Sequence, residues 1–284
     1  MEAEPYCSAS FFLCMLSIYL HIPFCRAKCP YCDFFSISDN SPFFADYPNL
    51  LLKQLELVIE DDWNGPVTSV YFGGGTPSLL STEDVARLLT ALDEKLGLTG
   101  DVEITFEANP GTIDLAKLLG LRSAGVNRLS LGLQSLNDGH LCRLGRRHDR
   151  RANQDSVAAA RQAGFDNLSL DLMFALPGQS LEQLDAEIAG YLALNVEHLS
   201  CYGLTAEAGT PFAQSVQTGA VKLPEDDFYA EAFLSIDQQL TAAGFQHYEI
   251  ANYARSGRIC RHNHRYLERA DYLGLGAGAH SFRS

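Results

Sequence analysis

Two hydrophobic patterns alternate along this chain. Short runs rich in β-branched and aromatic residues predict strands, and longer segments with apolar residues every three or four positions predict helices. The six predicted strands are 17–22, 68–72, 103–108, 127–133, 167–173 and 197–203. Helices are predicted between and after them, at about 43–61, 81–96, 114–123, an Ala-rich stretch ending at Gly164, 181–194 and 225–243.

Six strand–helix units predict a parallel α/β sheet with right-handed crossovers. An open doubly wound sheet would concentrate its functional residues at one switch point. Here, polar or glycine-rich features follow all six strands, as in the active sites of α/β barrels. These features are the cysteine run at 25–32, GGGTPS at 73–78, Glu107, Gln134, Asp171 and Tyr202. The pattern therefore favours a six-unit partial barrel, with an N-terminal extension at 1–16, a core at 17–247 and a C-terminal segment at 248–284.

Composition narrows the function classes. The 284 residues are 46% hydrophobic and carry a formal net charge of −14, which disfavours a broadly basic nucleic-acid surface. A local basic patch remains open, formed by Arg143, Arg146, Arg147, Arg150 and Arg151. No run approaches the roughly 18 apolar residues of a transmembrane helix. No Lys or Arg precedes the apolar segment 11–20, so a signal peptide is not expected, and eight cysteines without an export signal indicate a reducing cytoplasm.

Cys25, Cys29 and Cys32 form the spacing C-x3-C-x2-C. Full protein ligation of a [4Fe–4S] cluster takes four cysteines. No local fourth cysteine exists, because Cys14 lies eleven residues before Cys25 and position 34 is Phe34. The spacing therefore favours a cluster with one iron open to a substrate.

Two other interpretations of the three cysteines stay open. A zinc site would need a fourth ligand, for which His21 is a candidate. A disulfide would leave one thiol over and would need an oxidising compartment. The remaining cysteines are scattered singly, which is typical of small buried apolar residues.

Further polar and glycine-rich positions predict a ligand pocket at the strand ends. The run 73–75 consists of three glycines, which let a ligand approach the backbone closely, although a plain tight turn explains it equally well. Glu107 is a carboxylate on an otherwise apolar strand and needs a partner. Together with Gln134, Arg146 and Asp171, it suits a zwitterionic ligand that carries a ribose.

The segment 260–282 contains His262, His264 and His280 close to Tyr266. Lone histidines are usually surface or capping residues, but such a group is also a candidate for binding a metal or haem iron. The run GLGAGA at 274–279 predicts close packing, and it lacks the strand–helix context of a dinucleotide fingerprint.

Seven motifs in order resemble the radical S-adenosylmethionine (SAM) proteins of the oxygen-independent coproporphyrinogen III oxidase type. The resemblance covers about residues 17–284 and is carried by YLHIPFCRAKCPYC, GGGTPS, EANPGT, GVNRLSLGLQSL, LGRRH, DLMFALPGQ and HNHRYL with DYLGLGAGAHS. It implies a partial (β/α)6 barrel of the radical SAM type, a [4Fe–4S] cluster whose open iron binds SAM, and reductive cleavage of SAM to methionine and a 5′-deoxyadenosyl radical.

The resemblance also implies roles for individual residues. Those expected to contact cluster or SAM are Tyr19, Tyr31, Gly74, Gly75, Thr76, Glu107, Gln134, Arg146 and Asp171. Thr205 and His280 match positions that bind a second SAM in the oxidase.

One departure from the oxidase pattern points to a branch of the family. The oxidase has a further cysteine at the position of Phe34, whereas Cys-x-Phe with an HNxxYW-like motif is similar to the HemW haem-chaperone branch. That branch implies haem binding, with His262 as haem contact, and haem delivery to acceptors such as respiratory enzymes. Leu267 replaces the Trp of the motif, and the C-terminal domain usual in the family is expected to be missing after residue 284. The alternatives are the oxidase itself and a haem carrier without SAM chemistry; a zinc module is more distant.

Overall fold

The protein is described by a computed structural model that covers residues 15–59, 63 and 65–283. Most of the predicted N-terminal extension, with Cys7 and Cys14, lies outside the described residues. The strands are β1 (Leu16–Ile22), β2 (Phe24–Cys25), β3 (Ile37–Ser38), β4 (Val67–Gly74), β5 (Leu98–Ala108), β6 (Arg128–Gln134), β7 (Leu168–Phe174), β8 (His198–Gly203), β9 (Gln246–His247), β10 (Asn252–Ala254) and β11 (Tyr272–Leu275).

Helices follow most strands of the sheet. They are α1 (Tyr47–Ile59), α2 (Thr82–Leu96), α3 (Leu115–Ser123), α4 (Asp138–Arg143), α5 (Arg150–Gln162), α6 (Leu181–Ala193), α7 (Pro211–Gln217), α8 (Asp226–Ala242) and α9 (Arg261–Leu267). All six predicted strands are confirmed, as are the six predicted helices within a few residues. In the described part of the chain, no helix has both the length and the apolar character needed to cross a membrane.

Side-chain caps explain where several helices begin. The Ser81 hydroxyl accepts a hydrogen bond from Asp84 N at the start of α2. A capping box at the start of α6 joins Ser180 and Gln183 in both directions. Each such cap satisfies a backbone N–H that has no partner inside the helix and contributes about 1 kcal/mol.

The main sheet is open and runs in the order β11-β1-β4-β5-β6-β7-β8-β10-β9. Pairings from β11 to β8 are parallel, and those of β10 with β8 and β9 are antiparallel. The six predicted strands are consecutive neighbours in chain order, as in a partial (β/α)6 barrel and unlike a doubly wound sheet, where the order reverses. The fold prediction is therefore confirmed. Residues 248–284 add β10 and β11 to the same sheet, and the domain division at 247 stays a prediction.

The two faces of the sheet differ sharply in polarity. One face packs against the helices through fully buried apolar residues such as Ile18, Val70 and Leu129. Strand pairing places Ser17, Ser69 and Glu103 side by side on the other face, and Tyr19 beside Tyr71 one row further along. Because side chains alternate along a strand, this second surface, here called the polar face, carries one polar residue after another. The polar face holds the candidate site.

Candidate functional site

The cysteine loop follows β1, at the carboxyl edge of the sheet. Cys25, Cys29 and Cys32 are free and partly exposed. The Thr76 hydroxyl donates to Cys25 Sγ at 3.6 Å, and the Arg146 guanidinium donates to Cys29 Sγ at 3.6 Å. Hydrogen bonds to sulfur are one of the ways in which a protein tunes an iron–sulfur cluster. Two of the three predicted ligands therefore already face donors from neighbouring loops.

The three thiols fit a cluster better than a single metal ion. Across residues 15–59, 63 and 65–283, no group of three His, Cys, Asp or Glu side chains is arranged to hold one metal ion. A cubane differs from a single ion because three of its irons can each take one cysteine while the fourth iron stays open. His21, the candidate fourth zinc ligand, has Tyr19 Oη at 3.1 Å from Nδ1 and the Phe35 carbonyl oxygen at 2.9 Å from Nε2. Both ring nitrogens therefore already have partners within the protein.

The glycine run brings the end of β4 against this loop. Gly75 N donates to the Ile22 carbonyl at 2.9 Å, and a Cβ at position 75 would lie 2.7 Å from the Phe24 carbonyl oxygen. Gly74 has φ +112°, a conformation that other residues rarely adopt. The glycines at 74 and 75 are therefore required by packing and backbone conformation, and they place Thr76 within reach of Cys25.

Arg146 joins three strand ends to the cysteine loop. Its guanidinium donates to the Gly132 carbonyl at 2.7 Å and to Asn109 Oδ1, and Asn109 Nδ2 donates to Thr76 Oγ1 at 3.3 Å. Gln134 ends β6 with φ 67°, and its amide lies beside Gly132. A continuous chain of polar contacts therefore runs from Cys25 to Cys29.

Asn109 is a site residue that was missed in the sequence. Its signal was its position, as a polar residue directly after strand 103–108. That position resembles the one of Gln134 after strand 127–133, so the same signal was present at Asn109.

Two carboxylates lie deeper on the polar face. The Tyr71 hydroxyl donates to Glu107 Oε1 at 2.7 Å. Burial raises the pKa of Glu107 to about 7, and the nearby charge of Asp171 adds to the shift. Burial also raises the pKa of Asp171 to about 6, against the opposing effect of Arg146. A cationic ligand between these carboxylates would stabilise their ionised forms.

The two predicted tyrosines occupy different parts of the site. The Tyr31 hydroxyl lies beside Cys29 and Arg146, and burial raises its pKa. The Tyr19 ring lies on the polar face, 6.1 Å from the Tyr71 ring centroid. Tyr31 thus contacts the predicted cluster ligand Cys29 directly, whereas Tyr19 lies beside Tyr71 on the polar face.

The three C-terminal histidines have different surroundings in the structure. His262 is buried, with Nδ1 3.0 Å from Ser69 Oγ and Nε2 2.7 Å from the Tyr266 hydroxyl. Burial, with a further effect from Arg128, lowers its pKa to about 3, so the ring is neutral. His264 pairs with Glu268 at 3.3 Å, and His280 is exposed after β11.

Thr205 is exposed and donates to Glu207 at 2.7 Å. Within the part of the chain that the structure describes, neither Thr205 nor His280 forms a side-chain hydrogen bond or ion pair with the cysteine loop. The structure thus assembles Cys25, Cys29, Thr76, Arg146 and Tyr31 in one contact network, with Glu107 and Asp171 below it.

The sequence model described as the radical SAM superfamily matches residues 19–188. The Heme chaperone HemW of Haemophilus influenzae is 41% identical over 270 residues, which cover 93% of this chain and 70% of that protein. The Heme chaperone HemW of Escherichia coli is 42% identical over 267 residues, covering 93% and 69%.

A solved structure shares the architecture. Coproporphyrinogen III oxidase (HemN) from Escherichia coli, described as a radical SAM enzyme, superposes with a TM-score of 0.79 at 28% identity. The match covers 94% of this chain and 64% of the HemN chain.

Proposed function

Because the chain belongs to the radical SAM superfamily, and within it to the family of HemW haem chaperones, we propose that it binds a [4Fe–4S] cluster, SAM and haem, and that it passes haem to haem-requiring proteins. The observation that carries this proposal is the contact network around the three cysteines, together with the two carboxylates beneath it. We also propose that the protein works in the cytoplasm.

Cys25, Cys29 and Cys32 would hold the cluster. The partly exposed free thiols and the donors aimed at two of them fit such a group. When bound, the cluster supplies an electron for reductive cleavage of SAM. Thr76 and Arg146 place hydrogen-bond donors on the sulfur ligands, which lowers the electron density on sulfur.

The residues around the network suit the polar groups of SAM. Gly74 ends β4, and Gly75 and Thr76 follow it beside Cys25, where we place the amino group of SAM. Arg146 presents a permanent cation for a carboxylate. Glu107 and Asp171 supply acceptors for ribose hydroxyls and negative charge for a sulfonium, and Gln134 lies next to Arg146.

Haem would be the cargo, with His262 as the proposed contact. His262 Nε2 lies 2.7 Å from the Tyr266 hydroxyl. Haem iron can reach this nitrogen only if the Tyr266 hydroxyl moves aside. Tyr266 and Leu267 are 38% and 55% exposed, so movement of this part of α9 would open a path from solvent.

Haem titration of the anaerobically reconstituted protein tests this arrangement. His262→Ala should lose most haem affinity, whereas Tyr266→Phe should retain or increase it, because the competing hydroxyl is gone. His264→Ala, on the same helix but paired with Glu268, is the matched control. Unchanged haem affinity in His262→Ala, with cluster content preserved, would remove His262 from the proposal.

The second candidate is oxygen-independent coproporphyrinogen III oxidase, favoured by the structural likeness to HemN. Anaerobic incubation with coproporphyrinogen III, SAM and dithionite separates the two functions. A haem chaperone gives no protoporphyrinogen, and stoichiometric protoporphyrinogen formation would favour the oxidase.

A further inference from the structure

A surface cavity of about 470 Å³ lies at the amino edge of the sheet, the edge opposite to that of the cysteine loop. Its walls include Met15, just before β1, Pro66, just before β4, and Asp101, among the first residues of β5. Helix α9 and the residue after it line another side through Arg261, His264, Arg265 and Glu268. This space, here called the α9 cavity, therefore lies beside the helix that carries the proposed haem contact.

His262 and Arg265 are neighbours on the surface of α9. Residues three apart on an α-helix have Cβ atoms about 5–6 Å from each other. The His262 ring is buried on the polar face, with Nδ1 3.0 Å from Ser69 Oγ, whereas Arg265 lines the α9 cavity. A ligand whose centre meets His262 can therefore reach Arg265 with a side arm.

The guanidinium of Arg265 is only partly used by the protein. Its Nη2 donates to the Met15 carbonyl at 2.6 Å, and its Nη1 lies 3.5 Å from Glu268 Oε2. Its Nε is buried and forms no hydrogen bond with any of the described residues. An unpaired buried donor on a charged group is unfavourable, and a bound carboxylate would remove that cost. Arg265 thus has a donor ready for an anionic group.

The other two side chains of the α9 cavity that can carry positive charge already have partners. Arg261 pairs with Asp101 Oδ2 at 3.0 Å and also donates to the carbonyl oxygen of Asp101. His264 Nδ1 lies 3.3 Å from Glu268 Oε1, so Glu268 is shared between His264 and Arg265. Ion pairs as exposed as that of Glu268 with Arg265 are weak. Arg265 is therefore the cation in this cavity that is least neutralised.

Resting on the haem binding proposed above, we infer that Arg265 binds a propionate carboxylate of the haem whose iron meets His262. Haem carries two propionates on one edge of its ring, so an iron ligand and a carboxylate ligand together fix its orientation. The planar guanidinium suits this group because it can donate two parallel N–H groups to one carboxylate. The movement of α9 that frees His262 from Tyr266 would also uncover Arg265 Nε.

Haem and haem dimethyl ester are the two probes of the test. The ester keeps the iron and the ring, but both of its propionates have lost their charge. Each probe is titrated into the anaerobically reconstituted protein in the same mixed solvent, and Soret absorbance gives the affinity. The variants are Arg265→Gln and Glu268→Gln. The matched control is Arg258→Gln, because Arg258 lies before α9 and pairs with Asp166 at 3.5 Å.

The parent should bind haem about tenfold more tightly than the ester, as expected for one charge-assisted pair. Arg265→Gln should bind haem about tenfold more weakly than the parent and the ester equally well, so that its preference for haem disappears. Glu268→Gln should bind haem about threefold more tightly, because the carboxylate that competes for Arg265 is gone. Arg258→Gln should match the parent with both probes. A variant that merely folds poorly would lose both probes together and would not gain affinity.

Four results would overturn this inference. They are equal affinity of the parent for the two probes, an unchanged preference for haem in Arg265→Gln, an equal loss of both probes in Arg265→Gln, and weaker haem binding in Glu268→Gln. The proposed function fails differently. A parent that binds neither probe would contradict haem binding itself, whereas haem binding that needs His262 but ignores the propionates would contradict the role of Arg265 alone.

Discussion

At the scale of single residues, Glu107 is the group whose chemistry is changed most clearly by its surroundings. Its carboxyl has a pKa of about 7, against 4.5 ordinarily, mainly because burial disfavours the charge. Tyr71 donates a hydrogen bond that partly opposes this shift. The native protein therefore holds a proton on Glu107 under conditions where the unfolded chain has released it.

This difference predicts a pH dependence of stability. Between pH 4.5 and 7 the native state binds the extra proton, so the free energy of unfolding should fall as pH rises through this window, by on the order of 2 kcal/mol. Urea unfolding of the cluster-free protein at pH 5, 6 and 7 measures it. Glu107→Gln should make the dependence shallower, with the part due to the raised pKa of Asp171 left, and an equally steep fall in Glu107→Gln would contradict the assignment.

Gly75 is a second residue with a specific steric role. A methyl group there would meet the Phe24 backbone at 2.7 and 2.9 Å, which forces the cysteine loop away from β4. Gly75→Ala should lower the free energy of unfolding by about 1–3 kcal/mol and reduce iron content after reconstitution. Gly100→Ala, where nothing lies within 4 Å, is the matched control. Equal iron content in the two variants would refute this role.

At the scale of elements, α6 supports the segment after β6 that carries Arg146. Glu187 on α6 is buried and accepts hydrogen bonds from Ser135 Oγ and from Leu136 N at 2.9 Å. His140 Nδ1 on α4 lies 3.1 Å from the same carboxylate. Helix α6 thus fixes the start of the segment that carries Arg146 to Cys29.

Removing the negative charge of Glu187 should make the position of Arg146 less fixed, although Glu187 is not itself a residue of the candidate site. Glu187→Gln should lower the free energy of unfolding by about 1–3 kcal/mol and weaken SAM binding, because the buried donors lose a charged acceptor. Glu182→Gln, exposed on the same helix, should leave both unchanged. Calorimetry of SAM binding and urea unfolding measure the two effects. SAM affinity equal to the parent's, despite lower stability, would remove the positioning role.

The long elements were predictable because their hydrophobic periods are regular. The sequence did not predict α4, α7 and α9, each seven residues or shorter, because so few residues give no clear helical period. Strand β11 was also missed, since its YLGL sequence lies within a glycine-rich run. Its pairing with β1 depends on contacts between residues about 255 positions apart, which local patterns do not contain.

At the scale of the whole molecule, the polar face explains why some residues of the candidate site could be predicted from the sequence and others could not. Residues at the carboxyl ends of strands, such as Glu107 and Asp171, were found because parallel strands bring these ends together. The contact of His262 with Ser69 was not foreseeable, because β4 and α9 meet only in the folded protein, whereas Tyr266 lies four residues further along the same helix. Burial of a histidine against distant strands leaves no local signal.

The central claim is that three cysteines hold a [4Fe–4S] cluster whose fourth iron binds SAM. The most direct measurement is electron paramagnetic resonance of the anaerobically reconstituted, dithionite-reduced protein, with and without SAM labelled with ¹⁵N and ¹⁷O at its amino and carboxylate groups. The account predicts about four irons per chain, a spectrum that changes when SAM is added, and hyperfine coupling to the labels. A cluster spectrum that SAM leaves unchanged, or a preparation that holds one zinc ion and no iron, would contradict it.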